Sequence, residues 1–264
     1  HERNNGFRPN RSTENALAQC YRMIQKQNLH FVVDIDIKGF FDNVNHSKLI
    51  RQIWAMGIQD KKLICIIKQM LKAPIIMPDG TKTYPTRGTP QGGILSPLLS
   101  NIVLNELDWW ITSQWESIPT EREYKCSVNK NGSVSKSSVF AALRGTNLKE
   151  MYIVRYADDF KIFCRKKSDA EKIFIAVRKW LKERLKLDIS EEKSKVVNLR
   201  KHYSEFLGFK MKAVKKGGKY AVKSHMTDKA VKNTEEKLKK QIEKIQRPKD
   251  KNQSVYEIER YNQM

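Results

Sequence analysis

Three carboxylates stand where chemistry could be done. Asp36 lies in the strand-like stretch Val33-Asp34-Ile35-Asp36-Ile37, and Asp158-Asp159, 122 and 123 positions further on, follow Ile153-Val154-Arg155-Tyr156-Ala157. An Asp-Asp pair in a turn is ordinarily solvated or bonded to its own backbone, but acids set directly after apolar strands are less expected in that role. Carboxylates gathered in one place repel one another unless cations occupy them, and Mg2+ takes a few carboxylates together with substrate phosphates. Two such ions about 4 Å apart lower the pKa of an attacking hydroxyl and steady a departing pyrophosphate. The chemistry to expect is therefore two-metal phosphoryl transfer. Asp34, on the same strand face as Asp36, reads either as a structural carboxylate or as a distant contributor to the field.

The surroundings are basic. The 264 residues carry 51 Lys and Arg against 29 Asp and Glu, a formal charge of +22. So large a surplus repels itself unless a polyanion neutralises it, which points to nucleic acid first and an anionic membrane surface second. No apolar run approaches the roughly 20 residues of a membrane span, which excludes an integral membrane protein. With 39% hydrophobic residues the chain can build a substantial core. Cys20, Cys65, Cys126 and Cys164 are too widely spaced for a zinc pair and too few for a disulfide framework. They predict buried structural thiols in a reducing compartment. The polar start His1-Glu2-Arg3-Asn4-Asn5 carries neither an initiator Met nor a signal-peptide pattern and reads as a piece of something longer.

The acids need elements to hold them. Ser12 or Thr13 can cap a helix whose apolar positions Ala16, Leu17, Cys20, Met23 and Ile24 recur to about Gln27, and a strand is predicted over 30–36. Leu49, Ile50, Ile53 and Trp54 mark a helix ending near Gly57; Leu63, Ile64, Ile67 and Leu71 mark another. Asp79-Gly80 between two β-like runs is a hairpin signal. The stretch 87–93 cannot be regular structure, and it opens into a helix from Ser96 with Pro97 in its first turn. Residues 112–147, rich in Ser, Asn, Lys and Gly, read as a surface insertion. Residues 151–156 and 161–164 make a hairpin with the acids at its tip, followed by a helix through Ile173, Val177, Trp180 and Leu185. Residues 196–199, 206–211 and 220–222, with Gly217-Gly218 as a turn, read as one small antiparallel sheet. A charged helix from Asp228 to Gln246 and an unfinished tail end the chain. The mixture is α+β.

Six strings bear a family resemblance. Asp36-Ile37-Lys38-Gly39-Phe40-Phe41-Asp42-Asn43-Val44-Asn45-His46 resembles polymerase motif A of reverse transcriptases, and Tyr156-Ala157-Asp158-Asp159-Phe160 resembles motif C. Arg87-Gly88-Thr89-Pro90-Gln91-Gly92-Gly93-Ile94-Leu95-Ser96-Pro97-Leu98-Leu99-Ser100-Asn101 resembles motif B in the form used by group II intron reverse transcriptases, the intron-encoded maturases. Gly6-Phe7-Arg8-Pro9-Asn10-Arg11-Ser12-Thr13 is similar to their second fingers block, with Asn10 in place of the more usual Gly. Ser190-Glu191-Glu192-Lys193-Ser194-Lys195 is similar to motif D, with Ser194 where Thr is commoner, and Phe206-Leu207-Gly208-Phe209 to the primer-grip block. One such block alone is weak, but six in the family's order across residues 6–212 are specific.

The resemblance implies a right-hand polymerase of fingers and palm. Residues 1–30 would be partial fingers lacking the first fingers block. Residues 31–227 would be mainly palm, an antiparallel sheet packed on helices, with fingers elements around 46–90 and the insertion at 112–147. Residues 228–264 would be the truncated start of a helical thumb or maturase domain. The implied activity is RNA-directed DNA polymerisation by a group II intron-encoded protein that also binds intron RNA to assist splicing and mobility. The alternative is an RNA-binding splicing cofactor in which this fragment is inactive as a polymerase. An RNA-dependent RNA polymerase fits less well, because its motif C more often reads Gly-Asp-Asp.

By the same resemblance Asp36 and Asp158 bind two Mg2+ ions, replaceable by Mn2+, Ile37 offers one of them its backbone carbonyl, and Asp159 completes the acidic set. Phe41 matches the steric gate that rejects a ribose 2′-OH, beside a core Phe40. Gln91 and Gly92 would lie under the incoming nucleotide. Lys193 is a candidate proton donor to the pyrophosphate, and Arg8 and Arg11 are candidate contacts to template or nucleotide phosphates. Phe206, Leu207 and Gly208 would grip the primer end. The implied partners are intron RNA, an RNA template with its DNA primer, and dNTPs, with no membrane, in a bacterial cytoplasm; an organelle and a homodimer stay open. Residues 1–160 hold 21 basic against 15 acidic residues and residues 161–264 hold 30 against 14, so the RNA grip is expected mainly on the later segment.

Overall fold

The computed structural model describes residues 1–90, 92–130, 132, 134–248 and 251–263. A helix α1 (Thr13–Gln25) opens the fold, capped by Ser12, whose Oγ accepts the Asn15 N–H while its own N–H donates to Asn15 Oδ1. The five apolar positions expected on its inner face are all buried. β1 (Phe31–Ile35) follows, then the short α2 (Phe40–Asn43), α3 (His46–Ala55), α4 (Lys61–Leu71) and a small hairpin of β2 (Ile75–Ile76) and β3 (Lys82–Thr83) around Asp79-Gly80. Next come α5 (Ser96–Ser113), a second small hairpin of β4 (Ser127–Val128) and β5 (Val134–Ser135), and α6 (Ser137–Arg144). The hairpin of β6 (Met151–Tyr156) and β7 (Asp159–Cys164) leads into α7 (Lys167–Trp180), which ends in a π-helical turn, Leu181–Leu185. β8 (Lys195–Asn198), β9 (Ser204–Phe206), β10 (Phe209–Lys216), β11 (Lys219–Met226), α8 (Asp228–Gln246) and α9 (Lys251–Asn262) complete the order. Among the described residues no helix is long and apolar enough to cross a membrane.

Two antiparallel sheets organise these elements. The first has the order β6-β7-β1-β8, and the second has the order β11-β10-β9. The first sheet is packed by α1 and α5 against β6 and by α7 against β1 and β8, and β6 and β7 are almost wholly buried along their lengths. Its register matters most. Ile35 pairs with Phe160 and Tyr156 with Asp159, so the end of β1 that leads to Asp36 lies level with the β6–β7 turn.

Five expectations need correction. Residues 196–199 do not join the small sheet, because β8 pairs with β1 as an edge of the first one. The stretch 112–147 is not all surface. Thr112 and Leu143 are buried, and Trp115 is wholly buried, its indole N–H donating to Tyr152 Oη at 2.9 Å beside the Phe140 ring. Isolated apolar anchors at the two ends of a polar segment carry no periodicity to reveal them. Of the four thiols, Cys20 and Cys164 are buried but Cys65 and Cys126 are exposed. Trp54 and Leu63, read as inward helix positions, face outward, and most of the tail forms α9.

Candidate active site

Asp36 is delivered by β1 and then held by the segment that precedes β8. Its backbone N–H donates to Ser194 Oγ at 3.1 Å, and its carbonyl accepts the Ser190 N–H at 2.8 Å. The Lys38 N–H donates to the Asp188 carbonyl at 2.9 Å, so Ile37 and Ile189 form a bridge that leaves the Ile37 carbonyl outside it. This stitching brings Lys193 beside the site, with its Nζ 3.7 Å from Asp36 Oδ2 and both side chains well exposed.

Asp158 and Asp159 sit on a turn whose Ala157 adopts the left-handed region at φ +58, a conformation disfavoured for any residue with a Cβ. The turn is clamped from below by Arg155, which is almost completely buried. Its Nη1 donates to the Ala157 carbonyl at 2.7 Å and to Asn101 Oδ1 at 3.2 Å. Its Nε and Nη2 form a two-pronged pair with the buried Asp108, at 2.8 and 2.6 Å. The N-terminal segment closes the clamp. Arg155 exchanges backbone hydrogen bonds with Arg3 and Asn5, and Asn101 donates to the Gly6 carbonyl at 2.9 Å. Gly6 lies so close that a Cβ there would meet the Ala157 nitrogen at 2.2 Å.

The charge on the turn reflects this crowding. Burial pushes the Asp158 carboxyl above its ordinary range, with the Asp36 charge adding to the rise and Arg155 opposing it. Asp159 is pushed up to about 6, first by the protein packed around it and then by Asp34, Asp158 and Asp36, against the pull of Lys161. Its outer edge nevertheless meets solvent. Asp34 is a structural carboxylate: it accepts from Lys161 Nζ at 2.5 Å and from Ser204 Oγ at 2.9 Å, tying β1 to β7 and to β9.

Around the acids, Phe40 is buried and Phe41 half-buried, the rings edge to face at 5.3 Å. The loop before α5 is tied to this pair. Thr89 N–H donates to the Phe41 carbonyl and Gly88 N–H to that of Val44, and a Cβ on Gly88 would come within 3.0 Å of two carbonyl oxygens there. Gly92 is exposed, and a Cβ built on it would meet nothing within 4 Å; Gln91 lies outside the described residues. Leu207 and Gly208 form the β9–β10 turn with φ of +51 and +81, and the Gly208 carbonyl accepts the Thr227 N–H at the start of α8.

A family model described as reverse transcriptase (RNA-dependent DNA polymerase) matches residues 1–211. This chain belongs to the reverse transcriptase family. It is 32% identical over 243 residues to the group II intron-encoded protein LtrA of Lactococcus lactis subsp. cremoris, covering 80% of this chain and 39% of that protein. It is 28% identical over 229 residues to the putative COX1/OXI3 intron 2 protein of Saccharomyces cerevisiae, covering 78% and 26%. Protein YkfC of Escherichia coli is 28% identical over 220 residues, covering 81% and 56%. The chain thus spans less than two thirds of each of these relatives. Among solved structures, apo telomerase of Candida tropicalis truncated from its C-terminal domain matches with a TM-score of 0.51 at 14% identity, over 80% of this chain and 40% of that one. That match concerns the α+β fold alone.

In this reverse transcriptase-family chain the three acids predicted from sequence converge, Lys193 lies beside Asp36, and Phe41 packs on Phe40 in α2, five residues after Asp36. Two predicted contacts are already committed elsewhere. Arg8 Nη1 donates to the backbone carbonyls of His1 and Asn4, at 2.5 and 2.9 Å, clasping the N-terminal segment. Phe206 is buried under Lys161, 5.4 Å from its ring centroid, whereas Leu207 and Gly208 are half-buried at the turn. Arg11 stays exposed. Asp108, Asn101, Lys161 and Ser194 carry positioning tasks that no motif assigned. The one legible signal was charge inside apolar runs, Arg155 within β6 and Asp108 within α5. Among the described residues no group of three or more His, Cys, Asp or Glu side chains is placed to hold a metal ion by itself. Mg2+ needs none, since it is commonly bound by one or two carboxylates and the substrate phosphates. An exposed Asp36 beside Asp158 and Asp159, whose carboxyls are pushed up by burial and then by neighbouring carboxylates, fits that ion.

Proposed function

We propose that this chain is the polymerase core of a group II intron-encoded protein, extending a DNA primer on an RNA template by two-Mg2+ nucleotidyl transfer and binding intron RNA to assist splicing and mobility. The observation that carries the reading is the register of one sheet, which sets Asp36 level with the Asp158-Asp159 turn. In this reading the first sheet is the palm, elements around 46–90 belong to the fingers, and α8 begins the thumb. When bound, Mg2+ supplies activation of the primer 3′-hydroxyl and charge stabilisation at the leaving pyrophosphate. Asp36 and Asp158 hold the ions with the Ile37 carbonyl, and Asp159 completes the acidic set. Phe41, backed by the buried Phe40, closes the space beside the ribose 2′ position. Gln91 and Gly92 are assigned to the place under the incoming nucleotide, where a glycine lets backbone approach without a Cβ in the way. Lys193 is close enough to Asp36 to pass a proton to the departing pyrophosphate, and the Leu207-Gly208 turn braces the primer end.

The basic surplus of residues 161–264 favours a second reading, RNA binding that assists splicing without synthesis. Primer extension on an RNA template with Mg2+ and dNTPs, run beside a binding assay on the same RNA, separates the two. Asp158→Ala is expected to abolish extension and leave RNA affinity unchanged. An Asp158→Ala protein that extends primers as well as the unaltered chain would sink the catalytic assignment. Extension absent from both proteins, with RNA binding retained, would select the second reading.

A further inference from the structure

The β10–β11 pairing runs in register over eight residues of each strand, and that register sorts the side chains onto two faces. One face is committed to the body of the protein. It carries the buried Met211 and Ala213, Val222, and Tyr220, whose ring lies 4.3 Å from that of His30; the Ala213 N–H donates to the Leu199 carbonyl at 2.9 Å. The other face sets Lys210 opposite His225, Lys212 opposite Lys223, and Lys216 opposite Lys219, with Val214 and Ala221 between them. Lys216, Lys219, Lys223 and His225 are exposed. Among the described residues Lys210 alone of this face has a carboxylate partner, Asp228 at 2.7 Å.

Like charges directly opposite one another destabilise a sheet. Two Lys–Lys pairs in register are a standing cost that an anion lying across them would remove. The anion must be extended, because the two pairs sit four residues apart along the strand, about 14 Å. Single-stranded nucleic acid is usually held by cations with open aromatic platforms, and the one ring on this face, the His225 imidazole, is already engaged edge to face with Tyr203. Its one neighbouring ring, Tyr203, is already covered by Lys212 at 5.5 Å and by the edge of His225 at 5.0 Å. A membrane surface would call for large apolar side chains to insert, and Val214 and Ala221 are small and half-buried. What remains is a double helix held by its phosphates and shape.

The position of the face places that helix outside the catalytic end. Lys216 stands seven residues along β10 from Phe209, roughly 23 Å from the Leu207-Gly208 turn. Tyr220 packs on His30, which precedes β1, whereas Asp36 follows that strand's far end. We propose that the outer face of the β10–β11 ribbon is a docking surface for the sugar–phosphate backbone of an RNA helix that is not the template–primer, that is, a folded stem of the RNA partner. The inference rests on the reading of this chain as RNA-binding and needs no catalysis.

The test uses the double variant Lys219→Glu and Lys223→Glu in the full chain. It converts both Lys–Lys pairs into Lys–Glu pairs, so its thermal midpoint should equal or exceed that of the unaltered protein. Affinity for a labelled blunt RNA stem-loop is measured across a salt series without Mg2+ or dNTPs, which keeps this test independent of the Asp158 one. The variant is expected to bind roughly tenfold more weakly near physiological salt, with a salt slope shallower by about 2. Extension of a short template–primer should be unchanged, and Lys68→Glu with Lys72→Glu should leave stem-loop affinity within about twofold, as charges away from a phosphate contact do. Unchanged stem-loop binding by the ribbon variant would overturn the proposal. So would a loss confined to the short template–primer, or one seen only with phosphatidylserine vesicles.

Discussion

Arg155 makes bonds that serve two ends, and the two can be separated by substitution. Its pairing with Asp108 satisfies two buried charges, while its bond to the Ala157 carbonyl holds a turn in a conformation that alanine disfavours. Asp108→Asn leaves the guanidinium buried and underpaired, a loss expected to lower unfolding free energy by about 3 kcal/mol. Replacing both partners, Asp108→Leu with Arg155→Met, removes both charges and should recover most of that stability. It cannot restore the bond to Ala157. The double variant is therefore expected to melt near the unaltered protein yet extend primers at least about tenfold more slowly, the scale of losing one positioning bond. Full activity in a stable double variant would reduce the buried pair to packing alone. At this scale the sequence was uneven. Asp36, Asp158 and Asp159 were legible because their chemistry and their placement after apolar strands agree. Arg155 and Asp108 were not, since each looks like an isolated anomaly until folding brings together positions 47 residues apart.

Elements are positioned by similar pairs nearer the surface. Glu150, just before β6, accepts from Arg144 at the end of α6 and from Arg165 just after β7, so one carboxylate fastens a helix to the hairpin that carries the acids. Burial works to raise its pKa, but the two guanidiniums outweigh it and hold the carboxyl below its ordinary 4.5. A folded pKa below the unfolded one means stabilisation that is present above about 4.5 and lost as pH falls through the lower folded value. The protection factors of α6 amides, taken relative to the intrinsic exchange rate at each pH, should therefore drop as the pH falls below that window. Glu150→Gln should already be weakened at neutral pH, by on the order of 1 kcal/mol given the partial exposure of both arginines, and should show no such acid step. An identical acid step in Glu150→Gln would assign it to another carboxylate. Most elements were readable in advance because capping, periodicity and turn residues spoke together: Ser12 before α1, Pro97 in α5, Asp79-Gly80 between β2 and β3. What periodicity could not supply was partnership. β8 looks like any short apolar strand, and only the β1 edge decides which sheet takes it; Trp115 is a single letter in a polar stretch, and only Tyr152 and Phe140 explain it.

Over the whole molecule the +22 charge is a term in stability as well as in binding. Self-repulsion opposes the compact state, and its unequal division, +6 over residues 1–160 and +16 over 161–264, concentrates it in the shorter later segment, which holds β8 to β11 and the last helices. Between about 0.01 and 0.15 M salt the screening length falls from roughly 30 to 8 Å. The free protein should therefore gain thermal stability across that range. A polyanion acts on the same repulsion by occupying it. RNA present at about 100 times its Kd would add about 2.7 kcal/mol, and this gain must shrink as salt weakens the complex. The two stabilisations thus compete. With RNA the thermal midpoint should be highest at low salt and then flatten or fall, converging with the rising curve of the free protein. Calorimetric or fluorescence melts with and without a structured RNA would follow both curves. If the free protein's midpoint did not move with salt, its charges would have to be offset locally, and the Lys–Lys pairs of the β10–β11 ribbon would then be the first place to look for a compensating partner.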